Sequence, residues 1–527
     1  MEVGIVPIIP LGFAFFLPFI AFITGRRRGV VIAYSLVGLL ATFISALWLF
    51  NEVYSSNGPL VYALGNWIAP IGIVLEVDLM GAILVLLTAF LFLMAGIYAV
   101  EYLSHDHGIE FFYTSLLGLE AGLIGLFMTG DAFNTFVMLE VTGASAYALV
   151  GFYRSRSEAV EGAFKYGISG ATATTLYFLA LGFIYASFGT LNMADLSAKF
   201  HGISFPVTTK LFGEPTLALA IFFALTLSMV IVKSAIFPGH YWLPYAHSAA
   251  PSPVSALLSG LVVSGGVYLL ARYLYTVFYS LPFWKTLSVV LLTLGAASAL
   301  LSSIMMVVQK DVKRLVAYST ILHMGYLVMA LGVGTQLALT AFLYHTVNHA
   351  IAKGMLFLTV GAFIHHAGTR KIDELAGIGK KMPLTTALFA LATLSLIGVP
   401  PLNVFFSKML IFNALLQVSP LVASVVVITS AIAAWAYFRL FITLWRGKPV
   451  EGHHYGHDEH EEPERHEVPL FVAVNLLLGI LVVVLGLFAP VIIDRFFHPA
   501  AVQAMDWQSY VDAVKRLSEA VISSSIH

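Results

Sequence analysis

The sequence predicts an all-α protein that crosses a membrane about fourteen times, with apolar blocks each long enough to span a bilayer. Three observations predict it. Of 527 residues, 59% are hydrophobic and only 10% are charged, where a soluble domain carries roughly 25% charged residues. The mean hydropathy is +0.90. The apolar blocks are too long for barrel strands, and backbone groups in lipid must be satisfied internally, which leaves helices.

The blocks fall near 5–24, 29–49, 79–101, 112–130, 132–153, 162–188, 215–238, 253–280, 285–308, 314–333, 336–365, 384–416, 420–445 and 468–493. The first is expected to be a membrane span and not a cleaved leader, because the basic cluster Arg26, Arg27 and Arg28 follows it. With an even number of spans both termini share one side. The opposite side then collects Arg26, Arg27, Arg28, Arg154, Arg156, Lys165, Lys310, Lys313, Arg314, Arg370, Lys371, Lys380, Lys381, Arg446, Lys448 and Arg465. The side of the termini holds only Lys199, Lys210, Arg272, Lys285, Arg495, Lys515 and Arg516. The positive-inside rule makes the first set cytoplasmic and puts both termini outside a cell (plasma or inner) membrane.

Formal net charge is −1 and cysteine is absent. No basic nucleic-acid surface is expected, and neither disulfides nor thiolate-held zinc or iron–sulfur centres. No metal or cofactor is assigned. The loop 446–467 carries His453, His454, His457, His460 and His466 among acidic residues, which reads as a solvated polar loop, with metal binding as the alternative. In the tail 500–527, Trp507, Tyr510, Val511, Val514, Leu517 and Val521 recur at helical spacing. They predict an amphipathic helix on the outer surface or on a neighbour.

Ionisable residues inside the spans are costly, about 2.5–3.5 kcal/mol each on insertion scales, and so mark function. Glu120 and Glu140 lie in adjacent spans. Lys233 lies five residues before Pro238, and Lys408 follows Pro400 and Pro401. His345, His349 and Lys353 are spaced four apart and share a helix face. His323 sits in the span before them. The alternative, buried pairs that only fix packing, suits a lone charge better than this set. Arg439, near a helix end, is expected to snorkel.

Pro238 and the pair Pro400 and Pro401 predict discontinuities in the seventh and twelfth spans, and broken spans line wet cavities. The breaks fall in successive five-span blocks, which an odd span count inverts relative to one another. The chain therefore divides into 1–111, a first inverted repeat 112–280, a second 281–446, and the His-rich loop, last span and tail 447–527. A buried lysine beside a movable acid is a two-state proton site, and histidines can relay between such sites.

Five stretches, TGDAFNTFVMLEV, KSAIFPGHYWLPYAHSAAPSPVSALLSG, QKDVKRLVAYSTILHMGY, HAIAKGMLFLTVGA and IGVPPLNVFFSK, carry a resemblance. In this order they resemble the antiporter-like subunits shared by respiratory complex I, Mrp-type cation/proton antiporters, formate hydrogenlyase and archaeal membrane-bound hydrogenases. The two blocks look most like the D-type component of Mrp antiporters and its hydrogenase counterparts. The resemblance implies fourteen helices with two inverted five-helix repeats. It implies that Glu140 and Lys233 form the acid–lysine pair of one half-channel. Lys408 would serve the other, and the His349–Lys353 face would connect them. Many relatives carry a lysine where this chain has Ser264, so water, Ser259 or Ser264 would have to bridge that point.

The expected function is movement of protons, sodium ions or both by one subunit of a larger membrane complex, with redox chemistry left to partner subunits. A self-sufficient or Mrp-complex cation/proton antiporter is the alternative. A haem-binding cytochrome, using His323 and His349, would leave the lysines unexplained. A purely structural anchor would tolerate apolar residues at Glu140 and Lys233.

Overall fold

The computed structural model describes residues 2–56, 58–203, 205, 215–446 and 466–525. The helices are α1 (Ile5–Ile23), α2 (Arg28–Ser55), α3 (Leu79–Tyr102), α4 (Ile109–Met128), α5 (Ala132–Val150), α6 (Ser157–Phe188), α7 (Met193–Phe200), α8 (Pro215–Lys233), α9 (Trp242–Ala249), α10 (Ser252–Leu257) and α11 (Val263–Ala271). They continue as α12 (Trp284–Val308), α13 (Val312–Val333), α14 (Gln336–Ala367), α15 (Pro383–Ile397), α16 (Asn403–Leu416), α17 (Pro420–Trp445), α18 (Pro469–Leu487), α19 (Ala489–Ile492), α20 (His498–Met505) and α21 (Trp507–Ser525). Among the described residues, 13 segments are long and apolar enough to cross a membrane. One of them, Ser252–Val277, runs through α10 and α11 with π-helical turns at Leu258–Val262 and Arg272–Val277. The shorter apolar pair α15 and α16 supplies the remaining predicted crossing.

The span Ser252–Val277, α13 and α14 form the centre of the bundle, while α1 lies at its edge. Tight helix contacts use small residues, as lipid-embedded packing requires. A Cβ on Gly295 of α12 would meet the Gly325 carbonyl of α13 at 2.6 Å, and one on Gly325 would meet the Gly295 carbonyl at 2.6 Å.

Two stretches repeat the same order of local features. Asp131 caps α5 by accepting from Asn134 N at 2.8 Å and bridges to Asn192. Asp311 caps α13 by accepting from Arg314 N at 3.0 Å and bridges to Lys371. A long helix ends on a left-handed glycine in both, α6 on Gly189 and α14 on Gly368. A broken span follows in both.

The two breaks have the same local cause. After α8, Ala235 N reaches Val232 O and Ile236 N reaches Ile231 O. After α15, Gly398 N reaches Ser395 O and Val399 N reaches Leu394 O. Both are Schellman turns, with Ala235 at φ +51° and Gly398 at φ +93° in the left-handed position. Each helix therefore stops a few residues before its proline, and Pro238, Pro400 and Pro401 prevent it from resuming.

Other features depart from the sequence reading. Strands β1 (Leu60–Ala63) and β2 (Val74–Val77) pair antiparallel between α2 and α3, outside the spans. Arg272 and Lys199, expected among the charges on the side of the termini, are buried in ion pairs with Asp78 at 2.6 Å and Asp195 at 3.1 Å. Lys313 is buried and donates to Ala250 O at 2.7 Å. Arg272 and Lys313 lie at span ends and Lys199 in the short helix α7, where sequence position cannot separate a solvated charge from one paired beneath a neighbouring element. The tail forms the predicted helix, α21, and packs on this chain itself through Tyr510, Val511 and Val514. His453, His454, His457 and His460 lie outside the described residues; the His466 ring packs against His366 at 4.6 Å.

Candidate proton path

The second broken span leaves the carbonyls at the end of α15 without helical partners. Lys408, two turns into α16 on the other side of the gap, donates to Leu396 O at 2.8 Å, Ile397 O at 3.0 Å and Ser430 Oγ at 3.0 Å. Gly398 admits it, since a Cβ there would lie 3.2 Å from Lys408 Cδ. Ser430 also meets the Tyr326 hydroxyl at 3.3 Å, which in turn meets Thr429 Oγ1 at 2.6 Å. The gap is braced by Asn403, which accepts from Ser395 at 2.6 Å and donates to Asn348 Oδ1 at 3.1 Å.

Residue 407, next to this lysine, opens the route inward. Ser407 Oγ lies 2.9 Å from His345 Nδ1, and His345 Nε2 lies 3.0 Å from His323 Nδ1. The His349 ring lies 5.1 Å from that of His323, and neither of its nitrogens has a hydrogen-bond partner among the described residues. One turn further along α14, Lys353 donates to Ser319 Oγ, to Val316 O at 3.2 Å and to Tyr437 OH at 3.4 Å. His345, His349 and Lys353 are each 0% exposed and His323 1%. The shared face predicted from their spacing is turned into protein. Ser319 adjoins Thr320, whose hydroxyl meets Ser259 Oγ at 2.6 Å. The polar string thus reaches the π-turn at Leu258–Val262.

Beyond Ser259 the string thins. Ser264 bonds only back to Gly260 O at 3.0 Å among the described residues. Gly266 then brings this span against the end of α8, where a Cβ would overlap Ser234 Oγ and lie 3.5 Å from Lys233 Cβ. Ser234 Oγ has no partner among the described residues.

At the first break Lys233 has one hydrogen-bond partner among the described residues, the Tyr147 hydroxyl at 3.2 Å. The pair with Glu140 is expected directly or through water; no direct contact forms within 4 Å, and Glu140 lies exposed on the chain surface. Tyr147, two turns along α5 from Glu140, stands at the lysine in its place. Gly143 and Gly170 make room for it, for a Cβ on Gly170 would overlap its hydroxyl. Glu120 is fully buried, and neither of its oxygens has a partner among the described residues.

Several of these groups escaped the sequence reading. Tyr147, Ser319, Ser407, Ser430 and Tyr437 are ordinary span residues until their neighbours are known. His247 is also buried, stacked on Phe357 at 4.6 Å with both nitrogens unpartnered among the described residues. Its signal was a histidine beside the proline-rich turn before α10.

Residues 129–433 match the family described as NADH:quinone oxidoreductase/Mrp antiporter, TM. The chain is 37% identical over 484 residues to the N-type component of the NADH-quinone oxidoreductase of Desulforudis audaxviator, covering 90% of this chain and 93% of that one. It is 32% identical over 492 residues to the D-type component of the Na(+)/H(+) antiporter of Alkalihalophilus pseudofirmus, covering 92% and 93%. Among solved structures, a chain of the membrane-bound sulfane sulfur reductase, an archaeal respiratory membrane complex, superposes with TM-score 0.87 at 30% identity over 97% of this chain and 99% of its own. A chain of the Mrp complex from Dietzia sp. shares the fold, with TM-score 0.83 at 22% identity over 97% and 98%. With its broken spans and buried lysines in the matched region, the chain belongs to the NADH:quinone oxidoreductase/Mrp antiporter membrane family.

Proposed function

We propose that this chain conducts protons within a larger membrane complex, along the buried string that links Lys408, Ser407, His345, His323, His349 and Lys353, and then across Ser259 to Lys233. The observation that carries the reading is the hydrogen-bonded run from Ser407 through His345 to His323, fully enclosed between two lysines. Buried nitrogen bases are expensive in a membrane and suit proton relay. Sodium prefers a cage of oxygen ligands, as hard cations do, and the string presents mainly amines and imidazoles.

The recurrent caps, left-handed helix ends and Schellman breaks support two half-channels of inverted topology, 112–280 and 281–446. The charge asymmetry of the loops supports a cytoplasmic basic face and outer termini. Glu140, exposed at membrane depth, would act on Lys233 from the surface of the chain, where a neighbouring protein of the complex can cover it. Such neighbours would supply the driving redox step or the exchanged cation.

The test is transport by the assembled complex in liposomes, following protons and sodium separately. Lys353→Met and His345→Leu should abolish proton movement with assembly intact. Proton transport at the unmutated rate by both assembled variants overturns the reading.

A further inference from the structure

Glu76 lies on β2, beneath α21, on the side of the bundle that carries both termini. It is 1% exposed, and neither carboxyl oxygen has a hydrogen-bond partner among the described residues. The cation beside it is committed elsewhere. Arg272 Nη1 donates to Asp78 Oδ2 at 2.6 Å, and Nη2 donates to Asp78 Oδ1 at 2.7 Å and Tyr268 OH at 3.0 Å. This two-pronged pair is itself buried and electrically closed.

The other walls add no charge. Tyr510 of α21 packs over Arg272, 5.6 Å from guanidinium to ring. Its hydroxyl lies beside Glu76 and donates to Met193 Sδ at 3.9 Å. Gly130 forms the opposite wall, where a Cβ would lie 2.9 Å from Glu76 Cβ and 3.3 Å from Oε2. Among the described residues, Asp78, Arg272, Tyr268 and Tyr510 are the titratable and charged groups around it. A carboxylate in this position would be an uncompensated buried charge, which is far costlier than a neutral carboxyl group. Burial pushes the Glu76 carboxyl well above the usual carboxylate range; Tyr510 and Arg272 pull it down, and Asp78 pushes it up further.

We propose that Glu76 is an additional proton-carrying site of this chain, a carboxyl group under the tail helix where a proton rests between the buried lysine–histidine string and the solution on the side of the termini. The inference rests on the proton-conducting reading above. Mechanistically, the neutral acid gives its proton to water on the side of the termini when the cover formed by Tyr510 loosens, and the carboxylate left behind takes up a proton arriving from the string, which restores the neutral acid.

The test compares infrared spectra and proton transport of the assembled complex at neutral pH. In unmutated-minus-variant spectra, Glu76→Gln should remove the C=O stretch of a protonated carboxyl, and proton transport should fall about tenfold or more. Asp78→Asn gives a second test that leaves Glu76 in place. Its amide oxygen can still cap α3, a role Asp78 fills by accepting from Gly81 N at 2.9 Å, but Arg272 is freed to pair with Glu76. The same band should disappear as Glu76 ionises. An unchanged band in either variant, or unchanged transport in assembled Glu76→Gln, overturns this inference alone. Absence of proton transport by the unmutated complex overturns the proposed function instead.

Discussion

The two broken spans end on the same turn and each carries a buried lysine beside its break, yet they hold that lysine differently. At the second break Lys408 is fastened by two carbonyls and a serine, and so replaces the helical donors that the break removed. At the first break that task falls to other groups. Ile236 N reaches Ile231 O, and Trp242 Nε1 donates to Val232 O at 2.8 Å. Lys233 is left with the Tyr147 hydroxyl. One lysine is structural cement as well as a proposed proton site; the other has few competing partners among the described residues and is free to swing. A site that must alternate between two neighbours is better built the second way, which makes Lys233 the candidate switch and Lys408 the fixed relay.

The largest expected effect separates these roles. Lys408→Met keeps the length of the side chain and removes its donors. Two buried carbonyls are orphaned at roughly 1–3 kcal/mol each, so the assembled complex should lose about 4 kcal/mol of stability. Lys233→Met orphans no carbonyl and removes a buried amine, so its stability should change by less than about 1 kcal/mol. Both should stop proton transport. Thermal unfolding of the two purified complexes, side by side, checks this; equal losses would mean that the lysines are held alike.

A second difference lies at the caps. Asp131 is buried in a neutral setting, whereas Asp311 sits 3.5 Å from the Arg370 guanidinium. Burial lifts the Asp131 carboxyl to about 6, against backbone donors from Asn134 and Phe133 that lower it. The folded state therefore holds this proton longer than the unfolded chain. Stability contributed by the protonated form is complete below about pH 4, falls as pH rises to about 6, and is flat above, by about 3 kcal/mol at most. Asp131→Asn should erase that part of the slope while keeping the cap. Asp311→Asn should leave it in place. Melting temperatures across that pH range decide the matter.

The spans and the buried bases were legible because hydrocarbon makes polar residues conspicuous: a lysine inside an apolar block is visible without coordinates. The broken spans were legible through Pro238, Pro400 and Pro401, although the helices stop earlier, at turns whose left-handed residue is alanine in one case. Partners were not legible. Helical periodicity puts Glu140 and Tyr147 on one face of α5 but does not say which of them meets α8. Nor does it reveal Glu76, Asp78 and Arg272, which lie at span ends among loops. Their burial depends on β1, β2 and α21 folding over them, and those contacts are distant in sequence.

Gly398→Ala probes the second break at smaller scale. The substitution puts a side chain at φ +93° and its Cβ 3.2 Å from Lys408 Cδ. The backbone penalty alone is roughly 1–2 kcal/mol. The lysine must also retreat from Leu396 O and Ile397 O, so transport should slow along with the stability loss. A variant that is less stable but transports at the normal rate would show that Lys408 does not need those carbonyls to work.

The smallest effect has the opposite sign and tests whether the two turns are equivalent. Ala235 occupies the left-handed position that Gly398 fills in the other break, at φ +51°. A Cβ in that region crowds the backbone, and glycine does not. Ala235→Gly should therefore remove strain at the first turn. The gain is limited because glycine also loses more freedom on folding, so stability should rise by about 0.5–1 kcal/mol. Neither Lys233 nor Tyr147 loses a bond, since their contact joins two side chains and uses no backbone group of the turn. If the strain only holds the shape of the turn, transport stays at the unmutated rate while the melting temperature rises. If transport falls while the melting temperature rises, the left-handed alanine sets the position of Lys233, and the first break, like the second, depends on its turn to aim its lysine.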